Sequence, residues 1–135
     1  MSEAKLTERQ IKLISIVSAL PEKPRLTLLQ KIVFLCMERV KSCDVNYPYI
    51  IGHYGPFSVD LINDLEDLEK KGIVKFGKEK QVIVTYRLKD KWPNAEETIS
   101  EFKTCFPDDS SIIASALTSP NVLGRPVGEF IKTSR

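Results

Sequence analysis

SVDLINDLEDLEKKGIVKFGKEKQVIVTYRL, residues 58–88, changes its hydrophobic period halfway along, and that change decides the fold. Leu61, Leu65 and Leu68 stand at i, i+4 and i+7 and predict a helix over residues 59–71. Ser58 is the expected N-cap, since a hydroxyl there accepts a hydrogen bond from a free N–H of the first turn. Gly72 is the expected C-cap, where a left-handed residue ends the helix. After Gly72 the period becomes two. Residues 73–76 read as a strand, 77–80 as a turn and 81–88 as the returning strand, with Val82, Val84 and Tyr86 on one face. A helix followed at once by a hairpin lays a helical layer over a small sheet.

Two helices precede this unit. Thr7 and Gln10 have the spacing of a capping box, in which a hydroxyl and an amide each satisfy a backbone N–H. The helix they open carries Ile11, Leu13, Ile14, Ile16, Val17 and Leu20 and stops at Pro21 and Pro24. Thr27 and Gln30 repeat the spacing and open a second helix, to about Lys41. Leu28, Ile32 and Leu35 form one apolar stripe, and Leu29, Val33, Cys36 and Val40 another beside it. Such a wide apolar face marks the central helix of the domain. Lys31 and Glu38 mark its wet side, with Phe34 close to that side. Residues 47–51 read as a short extended segment with a proline at its edge. Gly55-Pro56 reads as a turn that delivers Ser58 to the third helix. Tyr54 and Phe57 are expected to brace the third helix against the second, and His53 to order the turn. The expected core is Ile14, Val17, Ile32, Val33, Leu35, Leu61, Leu65, Leu68, Ile73 and Val84.

Beyond residue 90, Asn94 and Glu97 predict a further capping box and a helix to Cys105, which Pro107 ends. Asp108 or Asp109 opens a short helix to Thr118. Residues 120–135, rich in Gly and Pro, read as a segment that docks on the domain or hangs free as a tail. The fold class is α+β, mainly α. The expectation is a winged-helix domain, three helices plus a β-hairpin wing, over residues 1–90, with a C-terminal helical extension and tail over 91–135. Residues 92–118 are expected outside the winged-helix core, with apolar surface for a homodimer, the commonest closed assembly.

The composition excludes several classes. With 135 residues, 42% apolar and 28% charged, the chain has the make-up of an ordinary globular domain and needs no disulfide framework. No apolar run approaches the ~20 residues of a transmembrane helix, and the opening MSEAKLTERQ lacks the apolar centre of a secretory signal. A cytoplasmic protein without membrane contact is expected. The three cysteines, Cys36, Cys43 and Cys105, form no CxxC pair and read as reduced thiols. One histidine and no HExxH argue against a metal site. There is no phosphate-cradling glycine loop and no spacing that joins Cys43, His53 and an acid for nucleophilic catalysis. The expectation is a protein with no catalytic residues, metal or cofactor.

The segment 58–88 resembles the last helix and wing of winged helix-turn-helix regulators, through Leu65, Leu68, Glu69, Gly72, Ile73, Val74, Tyr86, Arg87 and Leu88. Leu29-Gln30-Lys31-Ile32-Val33-Phe34-Leu35 followed by His53-Tyr54-Gly55-Pro56-Phe57-Ser58 is similar to the paired motifs of the Panacea antitoxin-domain family and its short winged-helix relatives. The resemblance covers roughly residues 5–90. It implies a non-enzymatic regulatory module, engaged in toxin neutralisation, protein contacts or transcriptional control. Two departures bear on DNA reading. Residues 41–57 separate helices that a helix-turn-helix joins by roughly three or four residues. The third helix is acidic on one flank, which phosphates repel.

Two partners are therefore carried forward. Double-stranded DNA would be held mainly by the basic wing, through Lys75, Lys78, Lys80 and Arg87, with Ser58 and Asn63 at the start of the third helix. From Lys75 to Lys91 six positive residues stand against Glu79 and Asp90. Alternatively, a protein partner would be met by Phe34, His53, Tyr54 and the acidic stripe of Asp60, Asp64 and Asp67, in an antitoxin-like module or an assembly subunit.

Overall fold

The computed structural model describes residues 5–88 and 91–132. Lys89 and Asp90, counted with the wing and its boundary above, lie outside the described residues. The order is α1 (Glu8–Ala19), α2 (Leu26–Arg39), β1 (Tyr49–Gly52), β2 (Gly55–Phe57), α3 (Val59–Lys70), β3 (Val74–Phe76), β4 (Val82–Val84), α4 (Ala95–Cys105), α5 (Asp109–Thr118) and β5 (Phe130–Ile131). It is an α+β fold, mainly helical, with two small antiparallel sheets.

The central helix is α2, as its double stripe predicts. It is buried without interruption from Leu29 to Met37, so it has no wet side over that span. Lys31 and Phe34 are both inside, a correction to the reading above. The covering elements come from far along the chain: β2 and α5 pack on α2, and α4 packs on α1. Glu38 is tied down by Ser119, whose hydroxyl donates to it at 2.9 Å, and by the Asn121 amide at 2.7 Å. Nine of the ten expected core residues are buried and Val84 is partly so. The same core takes in Ile99, Phe102 and Ile112, so α4 and α5 share it with the first three helices.

The Thr7–Gln10 capping box forms as expected. The Thr27–Gln30 box does not. Helix α2 already begins at Leu26, behind an extended Arg25, and the Gln30 amide is engaged elsewhere. Asn94 precedes α4 but adopts helical dihedrals and makes no side-chain cap. Asp108 does cap α5, with Ser111 answering. Helix α3 ends in a Schellman arrangement: Ile73 N–H reaches Leu68 O at 3.0 Å and Gly72 N–H reaches Glu69 O at 3.0 Å, with Gly72 at φ +74°.

Residues 40–58, between α2 and α3, hold a hairpin. Ile50 pairs with Phe57, Ile51 with Pro56 and Gly52 with Gly55. The turn is therefore His53-Tyr54, two residues earlier than the sequence suggests, and Gly55-Pro56 begins the returning strand. Two-residue hairpin turns usually need positive φ at their central residues. Here neither has it, and Gly55 at φ +111° absorbs the twist instead. The end of the chain docks: β5 pairs with the other edge of β1, and Ile51 exchanges hydrogen bonds with Glu129 O and Gly128 N.

The second sheet is β3 with β4, shorter than the 81–88 strand expected. Val82 N–H bonds Pro24 O at 2.8 Å and Arg25 bridges to Gln81, so the α1–α2 loop adds a rudimentary third strand. Thr85 then turns back to Ile73 O and Gly72 O and ends the ladder.

Gly55 is a tight local constraint. A Cβ there would lie 3.0 Å from Leu117 Cδ2, on a backbone that L side chains avoid. Gly55→Ala is expected to cost about 1–3 kcal/mol in urea unfolding; a loss under half a kcal/mol would mean the turn relaxes freely.

Candidate functional site

The acidic flank of α3 is the first feature that the fold reassigns. Arg9 on α1 reaches across with Nε donating to Asp64 Oδ2 at 2.9 Å, and with Nη1 at 3.4 Å from Asp60. Tyr47 donates its hydroxyl to the same Asp64 oxygen at 2.7 Å, while the Arg9 guanidinium lies 4.4 Å from the Tyr47 ring centre. Gln10 Nε2 and Lys71 Nζ each donate to Asp67 Oδ2 at 2.8 Å. The stripe is thus a seam between α1 and α3. Asp64 is buried, which removes it from any partner surface, and Asp60 and Asp67 are engaged at its margin. Charges one helix-turn apart read as a solvated face because the opposing Arg9 and Gln10 lie more than 50 residues away in sequence.

Two further candidates are interior. Phe34 is 0% exposed and packs edge-on to Tyr49, with ring centres 5.3 Å apart. Ser58 is equally buried. Its hydroxyl accepts from Leu61 N–H at 3.2 Å, and its backbone N–H and C=O are each held at 3.0 Å by the Gln30 side chain. It caps α3 as expected and has no face left for DNA. The brace between α2 and α3 is this Gln30–Ser58 pair. Tyr54 is 83% exposed and Phe57 39%, so neither does that job.

The remaining candidates are at the surface. Lys75, Lys78, Lys80 and Arg87 are exposed on and after the β3–β4 hairpin, and Asn63 is exposed on α3. The hairpin tip is a short 3-10 turn, Lys78–Lys80, with Glu79 and Lys80 in left-handed conformation. Glu79 stands 3.7 Å from Arg25. On the same side of the molecule, His53 and Tyr54 project from the hairpin.

Between the β1–β2 hairpin, the start of α2 and the tip of the β3–β4 hairpin lies an apolar groove of about 610 Å³. Leu26, Ile51, Tyr54, Phe57 and Ile62 line it together with Lys80. The chain matches no family model, no curated protein and no solved structure. The groove therefore has to be read from its own chemistry. It brings His53 and Tyr54 beside Lys80, which joins one residue from the DNA set to two from the partner set. Sequence reading missed Lys31, Phe57 and Val127 as members of this site; a lysine set between two apolar stripes was the available signal. Among the described residues, no three His, Cys, Asp or Glu side chains cluster to hold a metal, and no helix is long and apolar enough to cross a membrane.

Burial, reinforced by neighbouring Asp64, pushes the Tyr47 phenol well above its ordinary range, so it stays a donor to that carboxylate. Tyr47→Phe leaves a buried charged acceptor short of one bond and is expected to cost about 1–3 kcal/mol in urea unfolding. Asp67 behaves in the opposite sense: hydrogen bonds from Lys71 and Gln10 hold its carboxyl below the ordinary value of 3.8. Its contribution to stability is complete above that unfolded value and fades as pH falls through the lower folded one. The stability gap between wild type and Asp67→Asn should accordingly be constant from pH 7 to 5 and close towards pH 2; a gap that widens on acidification would contradict the seam.

Proposed function

We propose that this chain is a non-enzymatic winged-helix module whose task is to bind another protein through the groove beside the β1–β2 hairpin. The observation that carries the reading is the groove itself, because it collects apolar side chains that a free-standing domain gains nothing by exposing. Tyr54 at the hairpin tip is an aromatic with no packing role, next to Phe57 and the exposed Val127. An apolar centre with aromatic anchors and a polar rim is the usual anatomy of a recognition surface. The winged-helix assignment is supported by the α1–α2–α3 order followed by β3–β4, and by the strand-like contact of residues 24–25 with the wing. The antitoxin-like or assembly-subunit role implied by the resemblance of residues 5–90 agrees with a module that acts by contact.

A second reading, a transcriptional regulator, is favoured by Lys75, Lys78, Lys80 and Arg87, which stay solvent-exposed on the wing. Phosphate contacts of that kind would position the protein without reading sequence. On α3, Asn63 is exposed for a base contact but Glu66 and Glu69 share the exposed surface, which opposes a close approach to phosphates.

The two readings separate experimentally. A photo-crosslinking benzoylphenylalanine at position 54, in cells that express the chain, is expected to trap a single protein partner that Phe57→Ser releases, with the fold unchanged by circular dichroism. The purified chain is expected not to bind duplex DNA at ~50 mM salt, where a basic wing acts most strongly. DNA binding whose salt slope falls by about 0.9 for each of Lys78→Ala and Lys80→Ala would instead establish the regulator.

A further inference from the structure

Lys31 sits in the second turn of α2, inside the uninterrupted buried stretch, and only 7% of it is exposed. Its stem runs beneath the hairpin: Cε and Nζ lie 3.6 and 4.0 Å from the point where a Gly55 Cβ would stand. Lys31 is among the residues that line the groove. No described residue gives it a hydrogen bond or an ion pair, and its Nζ is not among the fully buried unpartnered atoms, so it keeps some contact with solvent. Burial lowers its pKa, and no carboxylate acts against that effect. The other polar groups of the groove cannot serve it. Gln30 is committed at both ends to Ser58, Glu79 faces Arg25, and Lys80 and His53 add positive or neutral character at the mouth.

A largely buried lysine with no counter-charge in its own chain has lost part of its hydration, and a paired anion would offset that loss. Here apolar side chains and the cation line one cleft. We propose that the groove takes an extended segment of a partner protein carrying one carboxylate among apolar side chains, and that this carboxylate pairs with Lys31. The assignment rests on the interaction reading above and names the chemistry of its ligand. A single ammonium has three donors and suits a monoanion; a phosphate, with about two charges and three acceptor oxygens, would need more donors than Lys31 alone supplies. The volume, about 610 Å³, is within the roughly 300–1,000 Å³ of typical ligand clefts. The exposed Tyr54 and Val127 in its lining offer apolar contacts to the side chains of a peptide segment.

The test uses the whole protein with ¹³C-labelled lysine, Lys31 being assigned by its loss in Lys31→Met. The probes are capped tetrapeptide mixtures with one Asp or Glu among Leu, Val and Phe, the matched mixtures with Asn or Gln, and octanoate. The expected result is a shift of the Lys31 Cε resonance and of the amides of residues 52–57 with the acidic mixtures. The amide-matched mixtures should bind at least about tenfold more weakly, a difference of roughly 1.4 kcal/mol. In Lys31→Met, which keeps the apolar stem, that discrimination should vanish. The comparison of acidic and amide mixtures on the wild type needs no variant and stands even where Lys31→Met fails to fold. Equal binding of both mixtures, a response to octanoate alone, or no response at millimolar peptide would each overturn the proposal. Should the position-54 crosslink persist in those cases, only the ligand chemistry fails; loss of both removes the interaction reading as well.

Discussion

Gln30 holds Ser58 by both ends of its amide, donating to the serine carbonyl and accepting from its N–H, and the arrangement of the hairpin and third helix depends on that pair. Both partners are buried, so the two backbone groups of Ser58 would otherwise be stranded away from water. The network continues on either side. Tyr49 donates to the Gln30 carbonyl at 2.8 Å, which sets β1 against α2, and the Ser58 hydroxyl caps α3. One glutamine therefore fixes where the hairpin leaves and where the next helix starts. The apolar packing of Leu61, Leu65 and Leu68 can then hold α3 in a single register, because its first residue is already placed.

The same glutamine shows where sequence reading succeeds and where it ends. Helical phase was legible: apolar residues at i, i+4 and i+7 on α3 are buried because a helix has only one way to put them inside. So was the αL glycine at 72, which answers a purely local need. Capping boxes were legible only when nothing distant competed. Thr7–Gln10 forms; the identical spacing at Thr27–Gln30 does not, because Ser58 offers the amide two buried partners 28 residues away. The His53-Tyr54 turn was misplaced by two residues for a related reason: Gly-Pro is a strong local turn signal, but the register of Ile50 on Phe57 decides where the chain reverses.

Charge was the least legible property. Asp60, Asp64 and Asp67 look like a solvated stripe on one helix and are in fact the mating surface for Arg9 and Gln10. Lys31 looks like the wet edge of α2 and is covered by the hairpin. In both cases a polar residue's role was set by an element that folds over it from elsewhere in the chain. Of the candidate site residues, those on loops or the β3–β4 hairpin kept the exposure expected of them, namely His53, Tyr54, Lys75, Lys78, Lys80 and Arg87, and so did Asn63 on α3. Phe34 on α2 and Asp60, Asp64 and Asp67 on α3 did not, because burial of a helix face depends on its neighbours.

These reassignments also narrow how the groove can recognise anything. A strand edge can recruit a partner strand through backbone hydrogen bonds. The edge next to this groove is β2, three residues long with Pro56 at its centre, where there is no N–H to donate. The opposite edge of β1 is already taken by β5. Main-chain pairing is thereby weakened on the β2 edge beside the groove, and recognition there falls mainly to side chains. What the hairpin then presents is an aromatic at the tip, an apolar wall behind it and one ammonium at the base. Selectivity in such a cleft comes from the ammonium, because apolar side chains accept many shapes, whereas a partly desolvated cation discriminates between a carboxylate and its neutral isostere.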